Sequence, residues 1–277
     1  MKKSYIFLTL LFIILLSFSV LSNNDIYLGS YSPKKEIDIN FSIKFSDNNR
    51  TEQDIIIKFK NEVFKSNNST ISNSRITSNL RTGIIKFQNE EIIISSRQLQ
   101  KEANNYILPI KLKLFPHDKP GVFENTIMIK NSNGEILFEK TILFKVDSWT
   151  IFELSKDKYL RIVNSDYNNQ KLKSNGEVII KVASNSNWEL YGLLNEEANE
   201  VLNKINLFIK QDNNFKTVKK GPFQIHSKSQ LITQGTSTVT NDNYWEEIEV
   251  IMEIEDIKNI KSGLKIFPVI FYLYSTI

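Results

Sequence analysis

Alternation of apolar and polar residues, with a period of two, is the dominant pattern along this chain. The segments "IDINFSIKF" (Ile37–Phe45), "ILPIKLKLF" (Ile107–Phe115) and "KPGVFENTIMI" (Lys119–Ile129) all follow it. This alternation is typical of a strand that buries one face and exposes the other, as in antiparallel sheets stacked face to face. The pattern therefore predicts an all-β fold of the sandwich type.

Further segments complete a first domain. "NSNGE" predicts a hairpin turn with Gly134 at positive φ, followed by a strand over Ile136–Val146 whose inward residues begin with Ile136. Weaker strands are predicted at Asp54–Phe59, Gly83–Phe87 and Ile92–Ile94. The polar run "KSNNSTISNSRITSNLRTG" between Phe64 and Ile84 predicts a long loop, and Ser95 or Ser96 can cap a helical turn. About seven strands result, which is the content of an immunoglobulin-like sandwich.

The pattern changes after Val146, where the apolar spacing becomes irregular. We place a domain boundary near Asp147, with an immunoglobulin-like sandwich over residues 23–147 and a second β-sandwich over 148–277. "LNEEANEVLNKI" predicts one short helix capped by Asn195. The predicted strands of the second domain are Val178–Val182, Trp188–Leu190, Ile205–Ile209, Phe223–Ile225, Gln230–Thr233, Tyr244–Asp256 and the closing run after Gly263.

A short construction occurs twice. Lys119-Pro120-Gly121 precedes one long strand, and Lys261-Ser262-Gly263 precedes the last strand of the chain. Internal repetition is the simplest account, and it predicts that both strands occupy corresponding late positions in two successive domains. Pro268 cannot donate a ladder hydrogen bond, so the last strand is predicted to lie at an edge or to contain a bulge.

Residues 1–22 have the layout of a cleaved secretory signal peptide. Lys2 and Lys3 precede an apolar run from Tyr5 to Leu21, and small residues follow. This predicts an extracytoplasmic protein that is periplasmic, secreted or on the cell surface, and that does not span a membrane once the peptide is removed. The chain has no cysteine, so its cohesion depends on an apolar core rather than on disulfides.

Charge and motifs argue against several classes of function. The 35 basic and 31 acidic residues give a formal net charge of only +4, which does not favour binding to nucleic acid. The sequence has neither a nucleophile elbow nor a metalloprotease motif nor a glycine-rich phosphate loop. We therefore predict a protein that is not an enzyme, with no catalytic residues and no cofactor.

Candidate metal ligands and carboxylate pairs have simpler interpretations. The two histidines, His117 and His226, fall one in each predicted domain and are interpreted as surface residues. Three Asp/Asn clusters carry oxygen ligands that calcium could use, but turns select the same residues, and no metal site is predicted. They are Asp47-Asn48-Asn49, Asp212-Asn213-Asn214 and Asn241-Asp242-Asn243. Four glutamates, Glu247, Glu249, Glu253 and Glu255, line one strand face and are interpreted as solvated.

The tryptophans are the more informative side chains. Trp188 opens an alternating segment and is predicted to fill the second core. Trp149 stands at the predicted boundary and is a candidate domain-interface residue. Tyr244 and Trp245 follow a polar loop and are the candidate ligand-binding pair, because exposed aromatic rings beside polar groups can stack on a sugar.

The chain resembles bacterial exported proteins that are built from immunoglobulin-like sandwiches and include fimbrial and cell-surface components. The resemblance lies in the signal peptide, the strand "KPGVFENTIMI" and the segment "IIKVASNSNWELYG" (Ile179–Gly192). The resemblance implies a structural or assembly module of the cell envelope, with other envelope or pilus-like proteins as partners. A carbohydrate- or protein-binding adhesin module, with a surface glycan as partner, is the alternative. A two-domain periplasmic chaperone is a third hypothesis, suggested by "ILPIKLKLFPHDKP".

Overall fold

The computed structural model describes residues 25–46, 53–88, 91–155, 161–162, 171–175, 178–194, 205–210, 223–224, 229–255 and 269–276. The predicted signal peptide, the predicted helix after Leu194, Pro268 and Gly263 lie outside these residues. Strands account for most of the described chain, and the all-β prediction is confirmed.

The chain forms two compact units. Unit 1 takes its described residues from Met1–Tyr31, Glu36–Phe115 and Gly121–Val146, and unit 2 from Ser32–Lys35, Pro116–Pro120 and Asp147–Ile277. Two short connections of the N-terminal half thus belong to the C-terminal unit. The two independent domains and the boundary that the sequence suggests stay a prediction.

Unit 1 contains twelve described strands. They are β1 (Asp25–Tyr31), β2 (Ile37–Ser46), β3 (Asp54–Phe59), β4 (Val63–Lys65), β5 (Thr70–Ser72), β6 (Ile76–Leu80), β7 (Gly83–Lys86), β8 (Ile92–Ser95), β9 (Gln100–Glu102), β10 (Asn105–Leu114), β11 (Gly121–Asn131) and β12 (Ile136–Val146). Two 3-10 turns, Asn73–Arg75 and Ser96–Gln98, separate some of them. Ser95 caps the second turn in a capping box, which confirms the predicted helical turn.

The strands of unit 1 form two sheets with an immunoglobulin-like order. One sheet follows the path β1-β12-β11-β3-β8 and the other the path β2-β10-β6-β7. All pairings are antiparallel except that of β1 with β12. In the names used for antibody domains, β11 and β12 correspond to the F and G strands, and β2, β10 and β6 to B, E and D.

One apolar core lies between the two sheets. Most predicted inward residues of β2, β10, β11 and β12 are buried, although Ile37 and Phe41 of β2 are half-buried, and Phe123 and Phe144 stack with ring centroids 5.4 Å apart. The hairpin between β11 and β12 is also confirmed, since Gly134 has φ of 82°. Apolar packing of both sheets on each other therefore holds this unit together.

The long loop predicted between Phe64 and Ile84 is wrong. This segment contains β5, β6 and the first 3-10 turn, and Ile71, Ile76 and Leu80 are buried. The pattern was concealed because Ser78, a polar residue, occupies an inward position of β6. Its hydroxyl donates to the carbonyl oxygen of Pro109 at 2.6 Å, which satisfies the buried group.

Ile136 does not point inward as predicted. Its side chain is 50% exposed, whereas Ile142 and Phe144 on the same strand are buried. The pairing of β11 with β12 shifts between Ile129 and Lys130, so the first residues of β12 are out of step with the rest. A bulge of this kind reverses the face on which a side chain lies.

A small network of asparagines lies buried in unit 1. The side chain of Asn125 accepts from the backbone N–H of Asn61 at 3.1 Å and donates to its carbonyl at 2.9 Å. It also donates to the side-chain oxygen of Asn73 at 3.1 Å, and Asn73 donates to the Asn61 carbonyl at 2.7 Å. The side-chain amide of Asn125 thus makes the two hydrogen bonds to the Asn61 backbone that a neighbouring strand would otherwise make.

Unit 2 contains ten described strands. They are β13 (Thr150–Leu154), β14 (Arg161–Ile162), β15 (Lys171–Asn175), β16 (Val178–Ser184), β17 (Asn187–Leu194), β18 (Ile205–Lys210), β19 (Phe223–Gln224), β20 (Gln230–Gly235), β21 (Glu246–Glu255) and β22 (Val269–Thr276). The irregular segment after Val146 therefore contains strands, which the sequence did not indicate.

These strands also form two sheets. The larger follows the path β13-β16-β21-β15-β14, with β18 on the other side of β21 and β19 beyond it, and the smaller is β20-β17-β22. Both sheets contribute buried apolar side chains, which are Val178, Ile180, Val182, Trp188, Leu190, Ile232, Ile248 and Val250. Trp188 is fully buried, as predicted.

The two units have corresponding topologies. In unit 1, β11 pairs with β3, and β3 pairs with β8. In unit 2, β22 pairs with β17, and β17 pairs with β20. The strands that follow the two Lys-x-Gly constructions therefore hold equivalent positions. In unit 1 the other edge of β11 is covered by β12, whereas within the described residues no strand pairs with the other edge of β22.

Candidate interaction surface on the three-stranded sheet

Among the described residues, the last strand of unit 2, β22, presents a long and regular edge with which no other strand pairs. β22 pairs with β17 along eight consecutive residue pairs without a register shift. Its sequence, VIFYLYST, contains neither a charged residue nor a proline. An edge strand of this kind offers unpaired backbone N–H and C=O groups to another strand.

The inner face of β22 is incompletely covered. Val269, Phe271 and Leu273 lie on the same face as the buried core residues of β17, yet each is only half-buried. The equivalent inward residues of β11, such as Phe123 and Ile127, are 0% exposed because β12 lies beside them. Within the described part of unit 2, the apolar side of β22 therefore resembles that of a strand with a neighbour on one side only.

Other described edge strands carry features that discourage pairing. β7 and β8 have only four residues each, and β7 ends in Lys86. β13 has five residues and carries Glu153, and the pairing of β1 is broken between Tyr27 and Ser30. Short length, charge and irregular register are common protections of sheet edges. β22 combines length, regular register and absence of charge.

The outer face of the same sheet carries a group of tyrosines. Tyr191 of β17 lies directly opposite Tyr272 of β22, and its ring meets that of Tyr274 edge to face, with centroids 5.6 Å apart. Tyr272 is 38% exposed and Tyr274 is 54% exposed. We call Glu189, Tyr191, Gln234, Ile270, Tyr272 and Tyr274, which share this face, the tyrosine face.

Polar groups flank the rings of the tyrosine face. Glu189 lies opposite Gln234 on β20 and opposite Tyr274 on β22. The hydroxyl of Tyr191 donates to Oε2 of Glu189 at 2.8 Å. This hydrogen bond, together with burial and the charge of the carboxylate, raises the pKa of Tyr191, so that its phenol stays protonated.

The predicted pair Tyr244 and Trp245 lies elsewhere in unit 2 and is half-buried. The ring of Tyr244 stacks on Trp149 with centroids 5.9 Å apart, and Trp245 meets Tyr244 edge to face at 5.2 Å. The Tyr244 hydroxyl donates to the carbonyl of Lys34 at 2.6 Å. These contacts give the pair a packing role, and ligand binding by it stays a prediction.

Trp149 is buried inside unit 2, where it packs with Ala183 and Val239. Its backbone N–H donates to the side-chain oxygen of Asn185 at 2.9 Å, and the Asn185 amide donates to the carbonyls of Asp118 and Asp147. A role of Trp149 in a domain interface stays a prediction.

The candidate metal ligands are placed as follows. His117 is half-buried in the connection Pro116–Pro120 of unit 2, and His226 lies outside the described residues. Of the three Asp/Asn clusters only Asn241-Asp242-Asn243 is described, and it forms an exposed turn in which Thr240 accepts from the backbone of Asp242 and Asn243. In the described part of the chain, no group of three His, Asp or Glu side chains is arranged to hold a metal ion.

On the acidic strand face, Glu247 is exposed and forms an ion pair with Lys181 on β16, with Nζ and Oε1 2.6 Å apart. The side chains of Glu253 and Glu255 lie outside the described set. An exposed ion pair across neighbouring strands stabilises a sheet only slightly, and it forms no cleft for a substrate.

Glu246, at the start of β21, titrates unusually. Burial raises the pKa of this carboxyl from 4.5 to about 7. Between those pH values the folded protein keeps a proton that the unfolded chain releases, so the free energy of unfolding falls as the pH rises across this window and is flat above it. After allowance for the solvent that reaches this half-buried group, we expect a loss of about 1 kcal/mol.

Urea titrations followed by tryptophan fluorescence, at pH values from about 4.5 to about 8, measure this dependence. The variant Glu246→Gln should lose this part of the slope, whereas Glu247→Gln, which changes the exposed neighbour, should retain it. An unchanged slope in Glu246→Gln would contradict the assignment.

A membrane-spanning helix was not found among the described residues.

Neither a protein-family model nor a curated protein matches this chain. Among solved structures, it is similar to the CooA pilin subunit from enterotoxigenic Escherichia coli, with 17% identity, a TM-score of 0.29, and coverage of 44% of this chain and 88% of that one. It is also similar to the CupB6 tip adhesin from Pseudomonas aeruginosa, with 13% identity, a TM-score of 0.30, and coverage of 44% and 39%.

A third similar structure is the C-terminal domain of the AgI/II polypeptide BspA from Streptococcus agalactiae, with 9% identity, a TM-score of 0.25, and coverage of 91% of both chains. Identities and scores this low do not establish a function. The fold class of this chain therefore rests on its own strand pairing, which forms stacked antiparallel sheets in both units.

Proposed function

We propose that this protein is a non-catalytic, extracytoplasmic module of the bacterial cell envelope that assembles, in the manner of a pilus-like subunit, by strand addition. Its β22 edge receives a strand from another copy of the chain. The location rests on the signal peptide predicted over residues 1–22. Export without cysteine suits a subunit whose stability comes from β-sheet packing.

The observation that carries the proposal is the open position beside β22. In unit 1 the equivalent strand, β11, is flanked by β12, and its inner side chains are fully buried. In unit 2 the inner side chains of β22 are half-buried, and no described strand pairs with its other edge. A strand added there would cover this apolar side and satisfy the backbone groups of the edge.

A carbohydrate-binding adhesin module is the second candidate, and the tyrosine face favours it. The two roles are compatible, because one uses the edge of β22 and the other uses its outer face. A periplasmic chaperone, the third hypothesis from the sequence, has no comparable observation in its favour.

Substitution of Val269 by lysine tests the assembly. Val269 is the first residue of β22, is half-buried, and lies on the inner face beside the open edge. A lysine there can extend to solvent in the monomer but would be trapped under an added strand. We expect Val269→Lys to weaken self-association at least tenfold, measured by sedimentation velocity over a wide range of concentrations.

Ile92→Lys is the matched control. Ile92 is a half-buried first residue of the edge strand β8 in unit 1. This variant should assemble like the unsubstituted protein. A protein that stays monomeric at all concentrations, or a Val269→Lys variant that assembles normally, would contradict the proposal.

A further inference from the structure

The tyrosine face differs from the rest of the chain in its charge. Of the whole sequence, 24% is Asp, Glu, Lys or Arg. The strands β17, β20 and β22 together contain a single charged residue, Glu189. Within these described strands there is no cation and one carboxylate, so the face does not attract anionic ligands, and its exposed apolar side chains are Ile270, Tyr272 and Tyr274.

The rings are arranged as a platform rather than as a core. Tyr272 and Tyr274 are two residues apart on one strand, so their positions are about 7 Å apart along it. Tyr191 lies opposite Tyr272 on the neighbouring strand, and its ring meets that of Tyr274 edge to face. Ring faces of this kind pack on the C–H faces of pyranose sugars, while phenol hydroxyls bond to sugar hydroxyls.

The half-buried carboxylate of Glu189 favours a sugar over a protein as the ligand of this face. This carboxylate lies in the middle of the face and already accepts from Tyr191. An apolar protein surface placed over it would remove water without replacing the hydrogen bonds, which is costly for a charged group. A sugar supplies hydroxyl donors to both Glu189 and the amide of Gln234, which lies opposite it.

We infer that the tyrosine face is a binding site for neutral oligosaccharides, with Tyr272 and Tyr274 as stacking residues and with Glu189 and Gln234 as hydrogen-bonding residues. The site lies apart from Tyr244 and Trp245, and it goes beyond assembly through the edge of β22. Acidic glycans bind more weakly because Glu189 repels them.

The test uses the purified protein on a panel of neutral oligosaccharides and their sialylated or sulfated counterparts, followed by calorimetric titration of the best neutral probe. We expect binding to a neutral member and at least tenfold weaker binding to its acidic counterparts. Tyr272→Ala and Tyr274→Ala should each weaken binding at least tenfold, whereas Tyr272→Phe and Tyr274→Phe should retain most of it, because the ring remains.

Tyr27→Ala is the matched control, since Tyr27 is 53% exposed on β1 of unit 1 and should not affect binding. Val269→Lys should keep sugar binding even where assembly is lost, which separates this site from the assembly edge. The inference is overturned if no neutral member binds, if acidic members bind equally well, or if the alanine variants bind normally. It is also overturned if Tyr272→Phe and Tyr274→Phe fold but lose binding as fully as the alanine variants.

Discussion

Gly235→Ala is expected to lower the free energy of unfolding of unit 2 by about 2–3 kcal/mol, the cost of overpacking a filled core. A Cβ at this position would lie 2.5 Å from Cζ2, 2.6 Å from Cε2 and 2.8 Å from Nε1 of Trp188. The indole is fully buried and cannot withdraw without displacing its neighbours. Glycine is therefore required here for the close approach of β20 to the ring.

Urea unfolding followed by tryptophan fluorescence measures this loss directly. The chain has three tryptophans, Trp149, Trp188 and Trp245, and all belong to unit 2. The double variant Gly235→Ala, Trp188→Phe is the control, because the smaller ring leaves room for the methyl group. Its loss should be smaller than the sum of the two single losses. Additive losses would show that contact with the indole is not the cause.

The second large effect is expected for Asn125→Ala, which should lower the free energy of unfolding of unit 1 by about 2–4 kcal/mol. The substitution removes three hydrogen bonds and leaves the backbone N–H of Asn61 and Oδ1 of Asn73 without these partners, while Nδ2 of Asn73 still donates to the Asn61 carbonyl. Asn73 and Asn125 are 1% and 2% exposed, so water cannot take the place of the lost partner without rearrangement. Unsatisfied buried groups, rather than the lost bonds themselves, account for most of this cost.

Circular dichroism and tryptophan fluorescence together test this prediction. Asn125→Ala should lower the midpoint of the unfolding transition of unit 1, which circular dichroism follows. The midpoint of the transition of unit 2, which tryptophan fluorescence follows, should change much less. Thr126→Ala, which changes the neighbouring residue and its half-buried contact with Thr141, should cost at most about 1 kcal/mol. An equal shift for both variants would contradict a special role of the asparagine network.

The alternating strands could be predicted because their inward residues are almost all apolar. β2, β3 and β10 follow this rule, β11 departs from it at the buried Asn125 and Asn131, and the hairpin glycine and the Ser95 cap carry clear local signals. β5 and β6 could not be predicted in the same way, since Ser78 faces inward and is satisfied by a contact 31 residues away. Long-range hydrogen bonds of this kind leave no trace in the local pattern.

The candidate surface was only partly accessible to sequence reasoning. The alternation in "FYLY" shows that Tyr272 and Tyr274 share a face, but their contact with Tyr191 depends on the register between β17 and β22. The aromatic pair that stood out in the sequence, Tyr244 and Trp245, is adjacent in the chain and packs on Trp149. Adjacency in sequence is visible without a structure, whereas cross-strand pairing is not.

The repeated Lys-x-Gly construction indicated corresponding strands in the two halves of the chain. It predicted that the strands after Gly121 and Gly263 hold equivalent places, and their pairing with β3 and β17 agrees. In the described residues the unpaired edge of β22 is seen from the comparison of both sheets.

Amide hydrogen exchange along Val269–Thr276, before and after assembly, tests the proposed strand addition most directly. Successive N–H groups of a strand point to opposite sides, so in the monomer the amides bonded to β17 should exchange slowly and the alternate amides quickly. In the assembled protein the fast set should become protected, as expected for β11 between β3 and β12. An assembly in which those amides still exchange quickly would contradict strand addition at β22.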